Sequence, residues 1–434
     1  MNMPETEKGR RSSSIDVDQS PGGGFFSSVI DRTLARYCSA LLDKMGAGLL
    51  SGSIHGSLPD GSTRMLGGRA PGPIAEMNIR SWRALTRIGW AGSVGLYEGW
   101  AADEWDSPDP VQIFDLFVRN RRSLGDSARA SGFAKASAKM LHWLRRNNKA
   151  GAKRNIEFHY DLGNEFYAAW LDESMTYSSA LFTTPISAGE SLESAQAAKN
   201  KALLARLHLN DGDRLLEIGC GWGGLAEDAL HHRDVDYHGI TLSREQKAYA
   251  DIRLAAAGFS QQAEISITDY RDVVNTASVA HYDAIASVEM VEAVGHAYWP
   301  DYLDCIARNL KPGGRAALQY IRIEDDIFDA YASSVDFIQR YIFPGGMLLS
   351  ESRFRKLAEE RGLLWSDQMD FGAHYAETLR RWHIRFDAAV SAGRLPAGFD
   401  EKFIRLWRFY LMYCEGGFRG GGINVAQVTL IKSK

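Results

Sequence analysis

The stretch "LLEIGCGWGG" sets four glycines, Gly219, Gly221, Gly223 and Gly224, directly behind a short apolar run that reads as a strand. Glycine there lets the backbone turn tightly and approach a ligand, while the helix that follows offers its N-terminus. The same glycines would also serve a plain loop that needs positive φ. Glu217 stands ahead of them in the pattern E-x-G-x-G-x-G, which differs from the G-x-G-x-x-G of a dinucleotide turn. A carboxylate at that strand end repels a pyrophosphate and attracts a ligand with a positive amino group.

Compatible groups recur behind the next two strand candidates. After "DYHGI" come Thr241, Ser243 and Gln246, neutral hydrogen-bonding side chains where a nicotinamide dinucleotide site would place an acid for its ribose. After "AEISI" come Asp269, able to accept from an adenine amine, and Tyr270, able to stack on its ring. Singly, a loop Asp is an ordinary cap and a Tyr an ordinary packing residue. Three successive strand ends with such groups describe the crevice where a doubly wound sheet binds its ligand, and together they suit S-adenosylmethionine (SAM). The fourth strand opens into "SVEMVEAVGHAYW", where Glu289 and Glu292 stand among Met290, Val291, Val294, Tyr298 and Trp299. A carboxylate in such company is costly unless paired, so each is either a helix cap or part of a chemical site.

These residues need a frame to hold them. From about residue 200 the chain alternates helical patterns with the strands "DYHGITLS", "AEISITD", "YDAIASVE" and "RAALQYIRI", which predicts a mostly parallel α/β sheet with helices on both faces. "NLKPGGR" reads as a turn between a helix and the last of these strands. Upstream, residues 25–50 and about 108–150 read as helical, and 51–75 as turns or short strands. A length of 434 residues predicts a tail over 1–25, a smaller mixed or helical domain over 26–150, and a catalytic domain over 151–434.

Composition bounds the partners. Lys and Arg number 50 against 54 Asp and Glu, a net charge of −4, which argues against nucleic acid. Cys38, Cys220, Cys305 and Cys414 are too far apart for a metal pair or a disulfide framework, so a cytoplasmic setting and no metal are expected. The N-terminus lacks the apolar core of a signal peptide, and no uncharged apolar run approaches membrane-spanning length. Between Arg119 and Arg154, however, stand eleven Lys or Arg and one acid, Asp126, with Phe133, Leu141, Trp143 and Leu144 interleaved. Such a run is either a solvated helix face or a contact with an anionic membrane surface. Aromatic clusters in "NIEFHYDLGNEFYAAWLDESMTYSSALF" and "DFIQRYIFPGGMLLS" are either core or the lining of an apolar groove.

The sequence resembles the cyclopropane-fatty-acyl-phospholipid synthase family, mycolic-acid cyclopropane synthases included. The matching segments run in the family's order and include "FHYDLGNEFY", "MTYSSALF", "SLESAQAAKNKALL", "LLEIGCGWGG", "GITLSREQ", "SVEMVEAVG", "NLKPGG", "YIFPGGMLLS", "FGAHYAETLRRW" and "FYLMYCEGGFRGGGINVAQVTL". The resemblance implies a Rossmann-like class I SAM-dependent methyltransferase sheet. It also implies methylation of a cis double bond in acyl chains of membrane phospholipids, at the inner face of the cytoplasmic membrane, with a homodimer as a further expectation. It assigns Tyr177, Ser178, Gly219, Gly221, Thr241 and Gln246 to SAM, and Tyr270 to the adenine ring. Glu292 matches the glutamate that holds a bicarbonate base, Tyr375 an active-site tyrosine, and Ile321 a residue whose backbone joins that site.

The chain departs from the pattern where bicarbonate is held. Ser179 replaces a Cys, Gln319 replaces a His, Glu289 stands where a small residue such as Gly is usual, and Ala293 stands where a His usually follows the glutamate. Ser and Gln still offer hydrogen bonds to an oxyanion. An added carboxylate at 289 would repel bicarbonate or itself serve as the base. The expected product is therefore a methyl-branched alkene. A true cyclopropane synthase and a non-catalytic SAM- or lipid-binding relative are the alternatives.

Overall fold

The computed structural model describes residues 38–125, 162–186, 189–273 and 281–434. The expected tail, the domain boundary near 150 and the basic run beyond Gly125 lie outside the described residues. At the N-terminal side, β1 (Ser53–Ser57), β2 (Thr63–Gly67), β3 (Ile74–Ile79) and β4 (Trp105–Asp106) form a four-stranded sheet in the order β2-β1-β3-β4. The Gly- and Pro-rich stretch read as turns or short strands thus supplies two strands of one sheet and the start of a third. Helices α1 (Trp82–Ala91), α2 (Ser93–Ala101) and α3 (Pro110–Arg119) follow. Ser81 and Asp109 start α1 and α3 by accepting from the backbone N–H groups of Arg83 and Val111.

The second sheet is built from β5 (Arg214–Ile218), β6 (Asp236–Thr241), β7 (Ala263–Ile267), β8 (Tyr282–Val288), β9 (Leu310–Ile323), β10 (Leu349–Ser350), β11 (Leu363–Asp370) and β12 (Ile423–Lys432). Its order is β11-β12-β9-β8-β5-β6-β7, with β10 paired to β9. The strands from β7 to β9 are parallel, and β12 runs antiparallel between β9 and β11. The "KPGG" segment lies within β9, where the register with β8 shifts between Tyr282 and Ala284, so the expected turn is an irregularity inside a strand. From β5 the chain winds outward through β6 and β7, then returns to the other side for β8. That reversal opens a crevice at the C-terminal end of β5, beside the glycine turn.

The connecting helices are α4 (Leu192–Leu207), α5 (Gly224–His232), α6 (Arg244–Ala256), α7 (Trp299–Asn309), α8 (Asp325–Ala332), α9 (Glu351–Glu359), α10 (Gly372–Ser391) and α11 (Glu401–Arg419). One apolar core joins the N-terminal elements to α10 and α11. At its centre Phe409 of α11 meets the rings of Tyr97, Phe114 and Phe337 at 5.3, 5.2 and 4.7 Å. The two regions of the chain therefore share a core.

Close approach of α11 to α3 depends on Gly416, where a Cβ would lie 2.4 Å from Phe114 Cβ and 2.9 Å from Asp115 N. Helix propensity alone predicts that Gly416→Ala gains about 1 kcal/mol. Overpacking against backbone costs about 1–3 kcal/mol and dominates here. The expected outcome is a lower Tm for Gly416→Ala in thermal unfolding.

Candidate active site

A cavity of about 580 Å³ starts at the glycine turn and passes between the two regions of the chain. Gly219, Gly221, Thr241, Gln246, Tyr270 and Tyr177 line its first part. Gly219 and Gly221 adopt φ of 85° and 52°, and a Cβ on Gly221 would meet nothing within 4 Å, so bare backbone borders the space. Thr241 Oγ1 donates to Gln246 Oε1 at 2.8 Å, tying the end of β6 to α6, and Ser243 caps that helix. The Tyr177 hydroxyl meets that of Tyr410 at 2.7 Å across the cavity wall. This part fits the amino-acid and nucleoside ends of SAM, since three strand ends converge on open space with neutral polar groups and an aromatic face.

Three expected ligand contacts turn elsewhere. Glu217 is buried in β5, accepts from the Tyr237 hydroxyl and lies in the field of Lys199. Burial is the main cause that pushes its pKa up to about 7. Its carboxylate is therefore a member of the interior and does not line the cavity toward an amino group. Ser178 Oγ accepts from Lys199 Nζ at 3.0 Å, and its carbonyl accepts from Gln196 Nε2 at 2.9 Å, so the side chain faces α4. Asp269 accepts from the Arg271 backbone and guanidinium, at 2.8 Å from Nε and 2.6 Å from Nη2, as the cap of a short turn. Tyr177 and Tyr270, next to the last two, do line the cavity.

Deeper in, Glu289, Glu292, Tyr375 and Ile321 meet on the cavity wall. Glu289 has φ of 49°, a left-handed backbone that favours glycine and costs a larger residue roughly 1–2 kcal/mol. Its carboxylate accepts from Ser179 N at 2.9 Å, Gln319 Nε2 at 2.8 Å and the Tyr375 hydroxyl at 2.7 Å. Three charge-assisted hydrogen bonds of this kind offset the backbone strain. Burial raises the Glu289 pKa, opposed by those donors and by Lys199. The Ser179 hydroxyl donates to the Ala180 carbonyl, so residue 179 serves the carboxylate through its backbone. Gln319 is oriented by Gln427, whose Nε2 donates to Gln319 Oε1 at 3.1 Å and leaves the Gln319 amide N–H for Glu289.

Glu292 is the other half of the pair. One oxygen accepts from Ile321 N, while Oε2 is buried with no hydrogen-bond partner among the described residues. Burial first, and then the neighbouring Glu289, push its pKa up to about 8. An orphaned carboxyl oxygen in a buried wall is a group awaiting a ligand or a proton.

The sequence reading passed over several supports. Lys199 is fully buried, and burial brings its pKa down to about 8. His374 Nδ1 and Thr378 Oγ1 accept from Phe182 N at 2.9 Å and Ala180 N at 3.1 Å, so α10 holds the 179–182 segment from the side that also carries Tyr375. Positions 374, 375 and 378 share a helix face, the one signal by which they were findable.

Residues 147–428 match the family model described as mycolic acid cyclopropane synthetase. The chain is 38% identical over 362 residues to tuberculostearic acid methyltransferase of Mycobacterium tuberculosis, covering 80% of each chain. To cyclopropane-fatty-acyl-phospholipid synthase of Escherichia coli it is 32% identical over 411 residues, 93% of this chain and 94% of the relative. Among solved structures, a mycolic acid cyclopropane synthase complexed with SAH and CTAB superposes with a TM-score of 0.59 at 29% identity, covering 64% of this chain and 98% of that one. A cyclopropane synthase from Mycobacterium tuberculosis gives 0.57 at 28% identity, over 64% and 98%.

The raised Glu292 pKa has a thermal consequence. A carboxyl that binds its proton more tightly when folded stabilises the fold fully at low pH, and that stability is lost as pH rises from its ordinary 4.5 through about 8. Glu292→Gln removes the loss, so its Tm should exceed that of the parent at about pH 9 and converge toward it near pH 5. Differential scanning calorimetry of the ligand-free protein across that range checks this.

Proposed function

The chain belongs to the mycolic-acid and cyclopropane-fatty-acyl-phospholipid synthase family and is a SAM-dependent methyltransferase; on that premise we propose that it methylates a double bond in unsaturated acyl chains of membrane lipids and releases a methyl-branched alkene, with Glu289 as the base. The observation that carries this reading is the seat of Glu289. Its carboxylate is held by Ser179 and Gln319, at positions that the family resemblance assigns to bicarbonate, and by Tyr375, which it assigns to the active site.

SAM, when bound, supplies an electrophilic methyl group. Tyr177, Gly219, Gly221, Thr241, Gln246 and Tyr270, which line the cavity at and beside the strand ends, would hold it. The methyl would pass to one carbon of the double bond as its bond to the sulfonium sulfur breaks, the cofactor leaving as a neutral thioether and the neighbouring chain carbon becoming cationic. The Glu289 charge stabilises that cation in a medium of low dielectric. Glu292 keeps its proton near neutral pH, which leaves the negative charge of the pair on the member with three donors. Proton loss from the adjacent chain carbon to Glu289 regenerates an alkene beside the new branch.

A second reading is ring closure, in which the proton leaves the new methyl. The family model, the E. coli relative and both solved structures carry names of cyclopropane synthases, and the comparisons favour ring closure on that account. Two relatives named for methyl transfer, tuberculostearic acid methyltransferase and a probable fatty acid methyltransferase of Pseudomonas putida, fit the first reading. Among the described residues no helix is long and apolar enough to cross a membrane.

Mass spectrometry and NMR of fatty acids from a host expressing the protein separate the two readings. A branched chain with an olefinic signal is expected, and a cyclopropane as sole product overturns the proposal. Glu289→Gly restores the glycine that this backbone favours and should cut turnover by about 100-fold or more. Partial recovery with added bicarbonate is expected of that variant, and unchanged turnover would remove Glu289 from the reaction.

A further inference from the structure

The cavity does not end at the catalytic carboxylates. Its wall continues from Phe418 near the end of α11, stacked on Tyr375 at 4.5 Å, to Gly422 and Ile423 at the start of β12, and is closed on the N-terminal side by Ile88, Phe117 and Arg121. Among the described lining residues, Arg121 is the sole Lys or Arg, whereas Glu289, Glu292 and Asp336 are acids. Arg121 Nη1 donates to the Val118 carbonyl at 3.1 Å, and its Nε is buried without a hydrogen-bond partner among the described residues. A guanidinium is always charged, and a buried N–H left unpaired costs free energy until an acceptor arrives.

Its surroundings are arranged to leave it so. Arg122, next in sequence, takes the nearby acids, with Asp326 at 2.8 Å and Glu324 at 3.9 Å. The Arg121 stem is pinned by the turn that joins α11 to β12. A Cβ on Gly422 would lie 2.5 Å from Val118 Cγ1 and 3.5 Å from Arg121 Cδ, so glycine is what lets that turn close over the end of α3. The guanidinium is thereby held at the cavity wall on the N-terminal side.

We propose that Arg121 binds the oxyanion at the polar end of the lipid, a phosphodiester of a phospholipid or the carboxylate of a fatty acid. Guanidinium presents a planar fork that matches either group. The Glu289 and Asp336 carboxylates repel the same oxyanion, so the chain enters with its polar end at Arg121 and its alkene toward Glu289. This assignment rests on the acyl-chain reading above and adds a fixed direction to it.

Steady-state kinetics and binding test the two ideas separately. Arg121→Met and Arg121→Lys are compared with the parent on micelles carrying dioleoyl phosphatidylglycerol, oleate or dioleoylglycerol. For the physiological anionic lipid, Arg121→Met should raise KM about tenfold or more with kcat within about twofold, and Arg121→Lys should recover part of that loss. A response to phosphatidylglycerol alone identifies the phosphodiester, and a response to oleate alone the carboxylate. Uncharged dioleoylglycerol should be handled alike by all three proteins. An equal loss on charged and uncharged lipid, or a loss confined to kcat, overturns the assignment. Binding of distearoyl phosphatidylglycerol and of stearate, which have no double bond to react, is measured in parallel. Lower affinity of Arg121→Met for either, without turnover by the parent on any lipid, keeps Arg121 as the anion site and rejects the methylation reading. Unchanged affinity for both rejects Arg121.

Discussion

A buried carboxylate at residue 289 is the constraint around which the site is arranged. A charge in that position is tolerable only if donors meet it from several directions. Ser179 brings one from the segment after Tyr177, Gln319 one from β9, and Tyr375 one from α10. None of the three is near another in sequence. They converge because β9 runs beside β8, which ends just before Glu289, and because α10 packs against β12, the next neighbour of β9 in the sheet. The geometry around Glu289 and the closure of the fold are therefore one requirement.

Beneath this wall lies a second layer of buried charge. Lys199 donates to Ser178 and lies in the fields of Glu289 and Glu217, while Tyr237 donates to Glu217. Lys199, Glu217 and Glu289 each have their ionised form disfavoured by burial and partly restored by a neighbour. The network holds the 177–179 segment against α4, so Tyr177 faces the cavity while Ser178 faces the interior. Alternation along an extended segment explains why adjacent residues of one motif have different duties.

That alternation also marks what the sequence made legible. The mostly parallel sheet and the crevice followed from the α/β rhythm and the glycine turn, because both depend on local pattern. The orientation of Glu217 did not, since its partner Tyr237 stands twenty residues on and Lys199 eighteen residues before. Asp269 was foreseen as ligand contact or cap, and Arg271, two residues away, occupies it as a cap. The departure at 289 was visible as a carboxylate in place of a small residue, whereas its left-handed backbone was not. Supports such as Gln427 and Thr378 act through single hydrogen bonds across distant elements, and nothing in their local spacing announces that.

A carboxylate supplied by the chain differs physically from one supplied by a dissolved anion. A free anion has to be bound, at a cost in translational entropy, and its occupancy follows its concentration. A tethered one is present at every turnover, at the lasting cost of a left-handed residue in the fold. It also loses freedom. With Glu289 Oε1 accepting from both Ser179 and Gln319, and Oε2 from Tyr375 alone, Oε2 keeps the more available lone pair. On the proposed reading, the proton that leaves is then selected by where the cavity wall presents the alkene to that one oxygen. Product identity becomes a property of how the acyl chain is seated, which ties the chemistry at Glu289 to whatever fixes the far end of the lipid.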